Sequence, residues 1–162
     1  MELYFLRHGI AVEPTDWNGS DSERPLTAEG IRKMKKAVEG MRESDLRFDR
    51  IISSPFERAR HTAELVAKGL EHKEKVVFSE LLVPQAEFKD FLKLLKTLPS
   101  GKKTLLVGHQ PSIGDFISGL IAGGEAILDV KKGGMALVQV ALESSAGELQ
   151  WLTTSKQLRD MA

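Results

Sequence analysis

Four side chains carry the chemistry this sequence could do: Arg7, His8, Arg58 and His109. Arg7-His8-Gly9 cuts off the apolar run Leu3-Tyr4-Phe5-Leu6, and Gly108-His109-Gln110-Pro111 cuts off Thr104-Leu105-Leu106-Val107. Ser53-Ser54-Pro55, leading to Arg58, ends Arg50-Ile51-Ile52-Ser53. Short apolar runs stopped by polar turns read as buried strands. In open α/β sheets, ligands bind outside the carboxyl ends of the strands. If these three strands are parallel neighbours, two guanidiniums and two imidazoles meet in one pocket. That set suits a compact dianion such as a phosphoryl group, because arginine presents a rigid fork of donors to phosphate oxygens. Helix N-termini near Pro55 and Pro111 would add free N–H groups and positive dipole ends.

Taken singly, each residue has an ordinary explanation. A histidine at a strand end is usually a satisfied structural group, and an arginine near a helix start is usually a solvated charge. Three polar clusters at three strand ends are harder to dismiss. Arg7 also closes a buried strand, where a cation needs an anionic or carbonyl partner. His61, three residues after Arg58, reads as structural, and His72, in the charged run from Glu71 to Lys75, reads as solvated loop.

The segments between alternate strand-like and helix-like patterns. Ile31, Met34, Val38 and Met41 recur at helical spacing behind Thr27, a good N-cap. Ser54 and Glu57 have capping-box spacing, with Pro55 at the first helical position of a helix through Ala63, Val66 and Leu70. Val76-Val77-Phe78 reads as a further strand, and Phe88, Phe91, Leu92 and Leu95 as an amphipathic helix. Ile113, Phe116, Ile117, Leu120 and Ile121 form another helical stripe, Ala136 to Leu142 alternate along a strand, and Glu148 to Leu152 form a last short one. The expected fold is α/β, a three-layer α/β/α sandwich with a mostly parallel central sheet.

With 162 residues, no internal repeat and no linker, one domain over 1–162 is expected. Cysteine is absent, which excludes disulfides, Cys-ligated metal centres and a thiol nucleophile. Lys plus Arg (23) balances Asp plus Glu (23), so no general attraction to nucleic acid or to an anionic membrane is expected. The first residues lack a basic n-region and a cleavage site, so no signal peptide and a cytoplasmic location are expected.

Four motifs then fall in register: Leu6-Arg7-His8-Gly9, Arg24-Pro25-Leu26-Thr27-Ala28-Glu29-Gly30, the stretch from Ser53 to Ala63, and Leu106-Val107-Gly108-His109-Gln110-Pro111. Together they resemble the histidine phosphatase superfamily, with its phosphoglycerate mutase-like fold, and the short chain resembles the compact phosphohistidine phosphatase branch. The resemblance implies that His8 is the nucleophile and that Arg7, Arg58 and His109 hold the phosphoryl oxygens, with Arg24 at the substrate-binding rim. Ile10 departs from the polar residue that often follows Arg-His-Gly. No stretch reproduces the larger mutases' general-acid motif, and Glu80, just past the Val76–Phe78 strand, is the candidate general acid by position.

The resemblance further implies a metal-independent phosphatase, without cofactor, acting on a phosphohistidine-bearing signalling or phosphotransfer protein, as a monomer. Alternatives are a small-molecule phosphomonoesterase or phosphoglycerate mutase-type enzyme, and a non-catalytic phosphoprotein-binding module. Chemically, an imidazole nucleophile divides hydrolysis into two displacements. The attacking nitrogen must be unprotonated, which nearby guanidiniums favour, and a carbonyl partner on the other nitrogen would fix the tautomer. No paired carboxylate cluster accompanies the motifs, so no metal is expected.

Overall fold

The computed structural model describes all 162 residues. Its strands are β1 (Glu2–Arg7), β2 (Arg50–Ser53), β3 (Val77–Phe78), β4 (Lys103–Gly108), β5 (Met135–Ala141) and β6 (Ala146–Thr153). Its α-helices are α1 (Ala28–Glu43), α2 (Glu57–Gly69), α3 (Phe88–Leu95), α4 (Ser112–Ala122) and α5 (Ser155–Asp160). Three single 3-10 turns, Pro14–Asp16, Asp21–Glu23 and Glu80–Leu82, lie in the connections.

The strands form one sheet in the order β3-β2-β4-β1-β5-β6. Pairs β3–β2, β2–β4 and β4–β1 are parallel, whereas β5 runs against β1 and β6 against β5. Only β5 therefore opposes the common direction. Strands buried on both faces read as continuous apolar runs, and β1 divides its residues between two cores by period-two alternation. Leu3 and Phe5 pack with Phe91 and Leu95 of α3 and Phe116 and Ile117 of α4. Tyr4 and Leu6 pack with Met34 of α1, Ala63 of α2 and Leu158 of α5. The three-layer arrangement follows.

This topology also places the site. β1 leads into α1 on one face, and its neighbour β4 leads into α4 on the other, so the chain turns opposite ways from adjacent strand ends. That switch point leaves a crevice at the carboxyl edge. The strand ends are level there: Arg7 lies opposite Gly108, and Ser53 opposite Val107.

Local chemistry explains the elements and three differences from expectation. Thr27 caps α1, its hydroxyl accepting the Gly30 N–H at 2.9 Å. Helix α2, in contrast, begins at Glu57 behind Phe56, not at Pro55. The Ser54 hydroxyl accepts only the Phe56 N–H, at 3.2 Å, and is otherwise engaged with His109, so the capping box does not form. β3 is two residues at the sheet edge, with Val77 and Phe78 exposed at 51% and 43%. α5 was not anticipated, although Thr154 and Gln157 close a capping box around its first turn.

Candidate active site

Backbone pairing carries the three clusters past the ends of the strands. The His8 N–H donates to the Gly108 carbonyl at 3.0 Å, and the Ser54 N–H donates to the Val107 carbonyl at 2.9 Å. Arg58 stands in the first turn of α2, and His109 directly follows β4. Arg7, His8, Arg24, Arg58 and His109 line one cavity of about 240 Å³, together with Glu13, Gln110 and Lys132. The convergence expected from the sequence is therefore present.

His8 is 6% exposed, and its Nδ1 lies 2.7 Å from the Gly9 carbonyl oxygen. A carbonyl only accepts, so Nδ1 carries the proton and Nε2 keeps its lone pair. Burial pushes the His8 pKa down to about 3, helped by the charges of Arg58, Arg7 and Arg24 against the opposing Gly9 hydrogen bond. The ring is neutral at physiological pH, with the Nε2 lone pair free.

His109, 2% exposed, has its ring centroid 5.2 Å from that of His8. Its Nε2 is 2.9 Å from the Ser54 hydroxyl, which already accepts the Phe56 N–H. The tautomer that satisfies both groups has Ser54 donating to Nε2 and the proton on Nδ1. Nδ1 is buried with no partner in the chain, leaving a free donor for an anionic oxygen. Burial, then His8 and the three arginines, lower the His109 pKa to about 2.

The arginines are held by one edge and left free at another. Arg58, 3% exposed, donates from Nη1 to the Asp21 carbonyl at 2.8 Å and from Nη2 to the Asp21 carboxylate at 3.1 Å. Arg7 donates from Nη1 to the Val130 carbonyl at 3.0 Å. In both residues Nε is buried and bonded to nothing. Arg24 donates from Nε to the Asp21 carboxylate at 3.0 Å and from Nη1 to the Val12 carbonyl at 2.7 Å. Although partial burial works to raise the Asp21 pKa, hydrogen bonds and charge from Arg24 and Arg58 outweigh it and hold the carboxyl below its usual range. Thr62 ties the layers together, accepting the Gly9 N–H at 3.1 Å and donating to the Arg58 carbonyl at 2.7 Å.

Asp21 and Thr62 escaped the sequence reading. For Asp21 the only signal was its three-residue spacing from Arg24, which is common on any polar turn. Glu80 is not brought to the site. It is exposed at the start of the Glu80–Leu82 turn, and Pro84 lines the cavity in its place. Exposed Arg60 pairs with Glu57 at 2.8 Å, and neither His61 nor His72 reaches the cavity. No group of three or more His, Asp or Glu side chains is placed to hold a metal ion, and no helix is long and apolar enough to cross a membrane.

The arrangement offers an unprotonated imidazole nitrogen surrounded by cationic and neutral N–H donors, a setting for in-line attack on a tetrahedral anion. Comparison with known proteins agrees. The family model of the histidine phosphatase superfamily (branch 1) matches residues 3–87. An uncharacterised protein of Picosynechococcus sp. is 35% identical over 153 residues, covering 93% of this chain and 89% of its own. The phosphohistidine phosphatase SixA of Escherichia coli is 26% identical over 154 residues, covering 93% and 92%. Among solved structures, the protein histidine phosphatase SixA complexed with tungstate superimposes with a TM-score of 0.86 at 26% identity, covering 98% of this chain and 99% of that one. A phosphoglycerate mutase from Bacillus anthracis, 17% identical, shares the fold with a TM-score of 0.75 over 99% of this chain and 96% of that one.

Proposed function

Because this chain belongs to the histidine phosphatase superfamily, we propose that it removes phosphate from phosphohistidine in a signalling or phosphotransfer protein, without a metal, through a phosphorylated His8. His8 Nε2 attacks phosphorus, and the bond to the substrate imidazole breaks. Water then attacks the His8 phosphoramidate, releasing orthophosphate and restoring the neutral ring. The free Nε edges of Arg7 and Arg58 and the Nδ1–H of His109 hold the phosphoryl oxygens, where fixed donors stabilise charge as it develops. Arg24 steadies the rim, and Asp21 keeps Arg58 oriented from behind.

Leaving-group chemistry carries this reading. An alkoxide departs with a conjugate acid about as weak as water, pKa ~15.7, and needs a positioned general acid. The cavity lining holds one carboxylate, Glu13, whose oxygen lies 3.6 Å from Lys132 Nζ, and Glu80 stands outside. A phosphohistidine leaving group is an imidazole that solvent can protonate on its remote nitrogen, with an ordinary pKa of ~6.5. A site without a free carboxylic acid suits that substrate best. The end-to-end likeness to the Escherichia coli phosphohistidine phosphatase supports the same choice.

The test compares kcat/KM for a phosphohistidine protein, a phosphoserine peptide, an aryl phosphate and 3-phosphoglycerate, each with and without EDTA. Phosphohistidine should be the best substrate, aryl phosphate slower, the two alkyl phosphates poor, and EDTA without effect. Glu80→Gln should retain phosphohistidine activity. Efficient alkyl phosphate turnover that collapses in Glu80→Gln would make the protein a phosphomonoesterase instead, and activity lost in EDTA and restored by Mg²⁺ would end the metal-independent scheme.

A further inference from the structure

The catalytic cavity shares a wall with a larger one. Arg7 and Lys132 line both, and the neighbour, about 480 Å³ against about 240 Å³, is also lined by Lys33, Lys131 and Arg159 with a single carboxylate, Asp129. Five cations thus face one anion. Three are answered within the chain: Lys33 lies 2.8 Å from Glu29, Lys132 lies 3.6 Å from Glu13, and Lys131 pairs with Asp129. The remaining two form no ion pair. Arg7, with the Asp129 charge nearby, donates only to the neutral Val130 carbonyl, and Arg159, half-buried on α5 with the charges of Glu29 and Asp160 nearby, makes no side-chain hydrogen bond or ion pair. Each has a buried Nε without a partner; that of Arg7 serves the phosphoryl group at His8, and that of Arg159 is left for this cleft.

A guanidinium drawn out of water without an acceptor is unfavourable, and an anion that reaches it gains charge-assisted hydrogen bonds. The Ser155 hydroxyl, which bonds nothing in the chain, lines the same cleft. We propose that this cleft is a second anion subsite, taking a carboxylate or phosphate group of the same substrate while its phosphoryl group lies at His8. The inference rests on the placement of the phosphoryl group in the His8 cavity. Arg7, standing between the two spaces, couples them. In a protein substrate the occupant is an acidic side chain close to the phosphohistidine, so the subsite selects acidic surroundings.

Calorimetric titration tests this without turnover, using phosphonocarboxylates of increasing chain length and the alkylphosphonates matched to them. At one chain length the added carboxylate should tighten binding about tenfold, the size of one charged hydrogen bond partly offset by solvent. Arg159→Gln should abolish that advantage while leaving alkylphosphonate affinity and kcat/KM for an aryl phosphate unchanged. Phosphohistidine peptides with Asp beside the modified residue should likewise outperform their Ala counterparts in wild type and not in Arg159→Gln. Equal binding of the two series, or an advantage that survives Arg159→Gln, would overturn the proposal. A second equivalent of alkylphosphonate, lost in Arg159→Gln without any tethered advantage, would overturn it in favour of a free-anion site. Alkylphosphonates that fail to bind wild type at all would remove the phosphoryl placement at His8, and the subsite with it.

Discussion

His8 and His109 sit side by side, buried and neutral, and this state has a stability consequence of definite sign. Burial lowers their pKa values from the ordinary histidine value of ~6.5 to about 3 and about 2. Below 6.5 the unfolded chain takes up protons at these positions while the folded chain does not. Stability from these residues is therefore complete above 6.5 and falls as the pH drops toward 3. The slope approaches ~1.4 kcal/mol per pH unit for each ring. Denaturant titrations between pH 6.5 and the upper edge of the carboxylate range, about pH 5, should show that loss, and His109→Asn should flatten it. At the same scale, Arg7→Ala and Arg58→Ala should each reduce kcat/KM by roughly 10²–10³, as removal of one transition-state donor does. Arg60→Ala, on the exposed side of the same helix, should leave it unchanged. Asp21→Ala frees Arg58 without removing it, and steady-state kinetics should show a smaller loss, about tenfold. Arg7, His8 and His109 were legible because they end apolar runs, and Arg58 because it follows Ser53-Ser54-Pro55 at the end of another. Asp21 was not, because its bonds span a loop with no periodic pattern and reach Arg58 across 37 positions.

At the scale of elements, the central strands and the four longer helices could be read from burial alone. β1 and β4 are apolar on both faces, and α1 to α4 present apolar stripes to one core or the other. Harder were the elements stabilised by little apolar area: two-residue β3 on the edge, and six-residue α5, which buries only Leu158. The start of α2 misled for a chemical reason, since one serine hydroxyl could serve either a helix cap or His109. Glycine packing gives a prediction here. At Gly40 of α1, a Cβ would come within 1.7 Å of the Leu158 carbonyl oxygen of α5. Alanine in mid-helix gains up to ~1 kcal/mol of intrinsic propensity, but a clash with backbone cannot relax by a rotamer change, and overpacking costs about 1–3 kcal/mol. Gly40→Ala should therefore lower the denaturant midpoint. Because neither α5 nor this part of α1 lines the catalytic cavity, kcat/KM for an aryl phosphate should remain.

Across the whole molecule the charges cancel, 23 against 23, so any attraction for a phosphoryl group must be local. The topology supplies that concentration: parallel β2, β4 and β1 end level, and Arg7 at the end of β1, Arg24 in the loop after it, Arg58 at the start of α2 and Lys132 in the loop before β5 gather around one cavity. A nucleophilic histidine in that field is the central claim, and trapping the reaction intermediate tests it most directly. Wild-type protein quenched during turnover of a ³²P-labelled substrate should carry label on His8, retained in alkali and lost in acid, as a phosphoramidate is, and His8→Ala should carry none while remaining folded. Label that survives acid on a serine, or full turnover by His8→Ala, would contradict it.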